Sequence, residues 1–251
     1  MAQTARLAVA DTEERRVRED LAALYRCFVH YGWTDLLATH ISARVPGTRD
    51  QYLINPYGLF FEEVTASNLL KVDFDGQVLE GDHPYNEAGH LIHSTVLKAR
   101  PEINFVLHSH TRAGVAVSAM KEGLLPLSQH AGIVLGTLAY HDYQVVTDAE
   151  DECDLLARDL GDAYLMLLRS HGILACGRSA GEAFVLHYDL EAACKVQVDA
   201  LRAGVELVWP SAAAVEDLKA WGRPQAENQR AERTWTAILR RLARREPDYR
   251  S

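Results

Sequence analysis

Cysteine is scarce in this 251-residue chain: Cys27, Cys153, Cys176 and Cys194 stand far apart, with no C-x-x-C pair among them. That pattern argues against a disulfide framework and suits reduced thiols in a cytoplasmic protein. No apolar run approaches the ~18 residues that a membrane span needs. The first residues, "MAQTARLAVADTEERR", hold a short apolar patch broken by Asp11 and lack the long apolar core of a secretory signal. Positive charge is not in excess. Lys and Arg number 26 against 35 Asp and Glu, for a net charge of −9 and a pI of about 5.6. A polyanion would be repelled, so no nucleic-acid partner is expected. The basic run "RRLARREPDYR" reads as a solvated helix face or an oligomer contact. Repeats and low-complexity linkers are also missing.

What is present is ordinary globular composition, 48% hydrophobic and 24% charged, in a chain long enough for a substantial core. Thr12 and the acids after it predict a helix over 12–31, with Val17, Leu21, Leu24, Tyr25 and Phe28 at helical spacing. "ATHISARV" and "DQYLINP" read as strands, and "LLKVDFDGQVLEG" as a hairpin turning at Asp75-Gly76. "NEAGHLIHSTVLKAR" is helical until Pro101 stops it, with Ala88, Leu91, Ile92, Thr95, Val96 and Ala99 on one face. "INFVLHSH" is a short buried strand and "TRAGVAVSAM" a helix. "GIVLGTLAYHDY" reads as strand, "DAEDECDLLARDLG" as helix, and "AYLMLLRSHGILACG" as two short strands. A long helix follows to Gly204, and more helix after Pro210. The sum is one α/β domain over residues 1–208 and a helical tail over 209–251, packed on a neighbour or back on the core.

Histidine is the residue that draws attention, with eleven copies. In "FVLHSHTRAG", His108 and His110 are two apart behind an apolar run, and side chains at i and i+2 of a strand share a face. His171, followed by Gly172, ends another apolar strand and supplies a third imidazole. Three neutral imidazoles suit Zn²⁺, Fe²⁺ or Mn²⁺ with open positions. They equally suit buried histidines bonded to backbone, and the residues alone leave both readings open.

Taken in order, "THISARV", "INPYGLFFEEVTASNLLKVDFDGQVLEG", "LIHSTVLKARPEINFVLHSHTRAGVAVSAM" and "RSHGILACG" resemble the class II aldolase/adducin family across residues 15–205. The resemblance implies a single-domain α/β/α sandwich with a central, mostly antiparallel sheet. It also implies a homo-oligomer, a tetramer in many members, and a divalent metal, usually zinc, held by His108, His110 and His171. In the family that metal polarises a carbonyl and stabilises an enediolate as a carbon–carbon bond forms or breaks.

The chain departs from the sugar-phosphate aldolases at several positions. Their acid/base glutamate, four residues before the position of His93, is here Gly89. Glu87 replaces it only if the helix begins after that residue. The phosphate-holding serines correspond to Glu87 and Ala88, and a Gly-Asn pair to Thr39-His40, which argues against a phosphosugar. "N-x-A-G-x-x-x-H" at 86–93, "GLLPLSQHA" and "AYHDY" are similar to the adducin-like branch. The expected catalytic groups are His90, Glu87 and His130, with His40, Arg112 and Tyr143 binding substrate; Gln129 and His141 are further candidates. The expected activity is metal-dependent cleavage of a C–C bond in a small hydroxy, oxo or aromatic acid, by decarboxylation or retro-aldol cleavage. The alternatives are a non-haem Fe(II) oxygenase and a non-catalytic adducin-like module.

Overall fold

The computed structural model describes residues 2–142, 149–223 and 229–251, with side chains from residue 12 onward except 149–151. Eight strands form one sheet in the order β4-β3-β2-β1-β5-β8-β7-β6. They are β1 His40–Arg44, β2 Gln51–Ile54, β3 Leu70–Asp73, β4 Val78–Glu80, β5 Phe105–Ser109, β6 Leu138–His141, β7 Leu165–Leu168 and β8 Gly172–Gly177. Every neighbouring pair is antiparallel except β6 with β7. The helices are α1 Ala2–Tyr31, α2 Glu87–Ala99, α3 Arg112–Ser118, α4 Gln129–Leu135, α5 Ala149–Leu160, α6 Ala180–Arg202, α7 Ala212–Gly222 and α8 Gln229–Arg245.

The alternation of strand side chains divides the core into two layers. Leu107, Leu167, Ile173 and Ala175 face one side and pack with residues of α1, α3, α4, α6 and α8. Val106, Met166, Leu174 and Cys176 face the other side and pack with Val96 and Leu97 of α2 and Leu156 and Leu160 of α5. The result is the expected α/β/α sandwich. The tail folds back on the core: Ala231, Trp235 and Leu242 of α8 are buried in the first layer, and the Trp235 indole N–H donates to Asp20 at 2.9 Å.

Two expected elements differ. Helix α1 is already under way at Ala2, so Thr12 lies inside it and not at its start; the "ARLAVA" stretch is rich in strong helix formers. Within "GIVLGTLAYHDY" the strand begins only at Leu138. The residues before it finish helix α4, which Ser128 caps by accepting from the Ala131 N–H. A short apolar run carries no period of its own, and the cap decides its structure. Tyr143 lies outside the described residues.

His187 of α6 is fully buried, its ring 4.3 Å from that of Trp33 and 5.1 Å from that of Phe28. Nε2 meets the Ser109 hydroxyl at 2.7 Å, while Nδ1 has no partner. Burial, helped by Lys195, pushes its pKa from 6.5 down to about 3. Unfolding lets this ring take up a proton, so the stability it contributes is complete above pH 6.5 and is lost as pH falls toward 3. At pH 5 one such group costs about 2 kcal/mol relative to pH 7. Urea unfolding of the native chain and of His187→Phe at both pH values checks this. The variant should lose less stability on acidification by that amount, and equal losses would refute the assignment.

Candidate metal centre

The site forms where β5 ends and β8 begins. The two strands pair with His108 opposite Leu174 and Ser109 opposite Ile173. His110 lies just past the end of β5, before Thr111, whose side chain caps α3 by accepting from the Gly114 N–H. His171 lies just before β8, in a turn closed by its own N–H donating to the Leu168 carbonyl at 3.0 Å. Ser170 in that turn has a φ of +54°, a left-handed conformation uncommon for a non-glycine residue. Gly172 is required at the strand start because a Cβ there would run into the Ser109 carbonyl oxygen.

This local geometry brings together the three histidines singled out in the sequence. Nε2 of His110 is 2.8 Å from Nε2 of His108 and 2.9 Å from Nε2 of His171. The Nδ1 atoms of two of the rings are held from outside. The His108 Nδ1–H donates to the Ile173 carbonyl at 3.0 Å, and the His110 Nδ1–H donates to the Asp35 carboxylate at 3.0 Å. With the proton on Nδ1, Nε2 carries a lone pair and no hydrogen. Lone pairs facing one another at this separation repel unless a cation lies between them. Burial, reinforced by His40, His171 and His110, holds His108 well below its ordinary pKa. Burial, with His110 and His141, takes His171 down to about 4. Three imidazoles converging on one point, two of them with partners that fix their tautomers, fit a divalent ion bound at ~2.0–2.1 Å.

Behind the triad lies a buried polar layer. His40 opens β1 directly opposite His108, and their rings stack with centroids 4.9 Å apart. His40 Nδ1 meets His93 Nε2 at 2.7 Å, and His93 Nδ1 meets the Ser42 hydroxyl. His40 and His93 are both held well below the ordinary histidine pKa, first by burial and then by neighbouring histidines. Gly89 of α2 packs against this layer: a Cβ there would lie 2.8 Å from Cγ and Cδ2 of His40 and 3.1 Å from its Nε2. The imidazole of His40 thus occupies the space into which a side chain at 89 would project.

The other expected residues are dispersed. Glu87 is the first residue of α2 and is exposed. The helix therefore begins at Glu87 and not after it, and the condition for Glu87 to replace a residue at 89 is not met. His90 meets the Tyr52 hydroxyl at 2.6 Å and packs near Tyr85, beside the β3–β4 turn. Burial, then Lys98, lowers its pKa. His130 of α4 meets Asp189 of α6 at 3.0 Å, and Arg230 of α8 holds that carboxylate through two bonds of 2.6 and 2.8 Å. These partners tie His130 to the helical layer, and none belongs to the triad. Arg112 is exposed at the start of α3, on a separate cavity of about 230 Å³ with Glu191, Lys195 and Arg202. Gln129 is the exposed first residue of α4. His141 ends β6 between Asp159, at 2.8 Å, and Glu152, at 3.2 Å. Asp35, Ser42 and His93 were missing from the expected set. The polar residues His40 and Ser42, alternating with Ile41 and Ala43 on a fully buried strand, are the signal that points to the second layer.

Comparison with known proteins agrees with this geometry. The family described as "Class II Aldolase and Adducin N-terminal domain" matches residues 19–198. The chain belongs to the class II aldolase/adducin family. A crystal structure of an aldolase II superfamily protein from Pseudomonas syringae superimposes with a TM-score of 0.90 at 43% identity, covering 95% of this chain and 96% of that one. L-fuculose 1-phosphate aldolase from Glaciozyma antarctica superimposes with a TM-score of 0.83 at 28% identity, covering 96% and 94%. Alpha-adducin of Mus musculus is 42% identical over 195 residues, which are 76% of this chain and 26% of that protein.

The contact between positions 89 and 40 is directly testable. Gly89→Ala should destabilise the fold by about 1–3 kcal/mol through overpacking. In a His40→Ala background the same change should cost clearly less, because the ring it strikes is gone. A double-mutant cycle from denaturant unfolding measures this coupling; strictly additive effects would show that the two positions do not compete for space.

Proposed function

We propose that the chain is a divalent-metal-dependent lyase that breaks a carbon–carbon bond in a small hydroxy or oxo acid or an aromatic acid. The observation that carries this reading is the convergence of three Nε2 atoms, that of His110 lying 2.8 and 2.9 Å from those of His108 and His171, two of them on rings whose Nδ1 protons are committed elsewhere. His108, His110 and His171 would hold the ion. A bound zinc, iron or manganese ion supplies a Lewis acid for a substrate oxygen.

The chain's own residues suggest which reaction. Position 89 offers no carboxylate, and Glu87 is exposed at the helix start. The side chain nearest the vacant position is the imidazole of His40, whose Nε2 would lie 3.1 Å from a Cβ at 89. Where Ser42 donates to His93 and His93 donates to Nδ1 of His40, the proton of the His40 ring is on Nε2. In that tautomer His40 would serve as a proton donor beside the position where a carboxylate would have been a base. Decarboxylation needs no base to take a hydroxyl proton and ends with protonation of carbon, so it suits the arrangement better than retro-aldol cleavage. Similarity to L-fuculose 1-phosphate aldolase supports a lyase. The 42% identity with alpha-adducin supports a second reading, a non-catalytic binding module. Retention of the triad together with the groups that orient it favours the enzyme. We further assign a cytoplasmic homo-oligomer, with a tetramer favoured, acting on a small molecule. Among the described residues no helix is long and apolar enough to cross a membrane.

Elemental analysis of protein purified without added metal should find about one divalent ion per chain, and His108→Ala should lose both the ion and turnover. A metal-free native protein would favour the binding module, and turnover that stops without O₂ would favour the oxygenase. Asp35→Ala removes the orienting carboxylate and should weaken metal affinity about ten- to a hundredfold. A competition titration with a chelating dye reads this; unchanged affinity would remove Asp35 from the site.

A further inference from the structure

Beside His171 lies a cavity of about 210 Å³ between α2, α5 and β7. Its apolar wall is Ala88, Leu91 and Ile92 of α2, Leu156 of α5 and Leu168 of β7. Helix α2 covers its apolar face unevenly. Val96 and Leu97, toward its C-terminal end, are buried against the sheet, whereas Ala88 is exposed and Leu91 and Ile92 are half-buried. The incompletely covered half of this face is the half that reaches a candidate metal ligand.

Size and charge restrict what fits. Engineered apolar cavities of about 150 Å³ in another protein accept benzene, so this volume suits one ring or a branched alkyl group. The polar part of the lining disfavours an anion. Asp142 and Glu152 are acidic, and Glu152 is bonded to His141 at 3.2 Å. The guanidinium in the lining, Arg169, donates to the Met120 carbonyl at 2.7 Å and lies 4.3 Å over the Tyr140 ring. A phosphate here would meet two carboxylates and a cation already engaged.

We propose that this cavity is a subsite for an apolar, ring-sized substituent of the substrate, whose acid end reaches the histidine triad. The proposal rests on the lyase reading and narrows it to hydroxy or oxo acids carrying an aryl or branched-alkyl group. Cys153 lines the cavity and is part-exposed, whereas Cys27, Cys176 and Cys194 are buried, which supplies a local probe.

The test uses the full zinc-loaded chain with three ligands: 3-phenyllactate, 2-hydroxy-4-methylpentanoate and lactate. Alkylation of Cys153 by N-ethylmaleimide, followed by peptide mass spectrometry, should slow at least fivefold with a ligand that enters the subsite, and not with lactate at the same concentration. The first two ligands separate an aryl from a branched-alkyl occupant. Calorimetry should give at least tenfold tighter binding of the better of these two than of lactate. Ala88→Trp, at an exposed helix position, should abolish both the protection and the preference. Equal affinities for all three acids, failure of all three to bind, or a preference that survives Ala88→Trp would overturn the proposal. Metal content, measured on the same samples, tests the lyase reading separately: protection of Cys153 in a chain that holds no zinc would sink that reading and leave the subsite standing.

Discussion

The ladder between β5 and β8 is the constraint on which the site depends. It sets Ser109 opposite Ile173, so the last residues of one strand and the first of the other share one end of the sheet. His108, His110 and His171 converge because this register holds, although the third is 61 residues from the second along the chain. The pairing also supplies the Ile173 carbonyl that accepts from His108. A single backbone contact thus positions a candidate ligand and fixes its tautomer. A shift of register by one residue would turn His108 toward the opposite layer.

The site is also costly to the fold around it. His40 of β1, His108 of β5 and His93 of α2 are buried where the surrounding strand positions are fully buried apolar residues. Burial penalises their charged forms, so each remains neutral and must find hydrogen-bond partners within the protein. Ser42, His93 and His40 meet this need in a line, and the small size of Gly89 makes room for it. A polar layer of this kind is stable only while it is complete, which ties α2 and β1 to the chemistry at the strand ends.

Much of this was readable from residues. Strand alternation and helical spacing carried the element types, and Pro101 and Gly204 stopped helices where expected. The H-x-H pair and His-Gly marked the strand ends, and Gly89 marked the missing side chain. What could not be read depended on long-range placement. Asp35 sits in a loop whose sequence, "GWTDLL", has no period or motif, yet folding brings it to His110. His130 has the same chemistry as the triad, but Asp189 and Arg230 hold it in the helical layer. Helix α4 was hidden because a short apolar run with glycines is compatible with either period, and a Ser128 cap resolves the choice only in three dimensions.

The bond from Asp35 to His110 has one more implication. Asp35 lies in the connection between α1 and β1, half-exposed, and its link to the site is an imidazole. An ion held by the proposed triad would then be thermodynamically linked to the ordering of that connection. Whatever orders the connection would raise the affinity for the ion, and the bound ion would order the connection by the same free energy. A surface segment that offers no ligand to the triad would thereby become a control point for its occupancy.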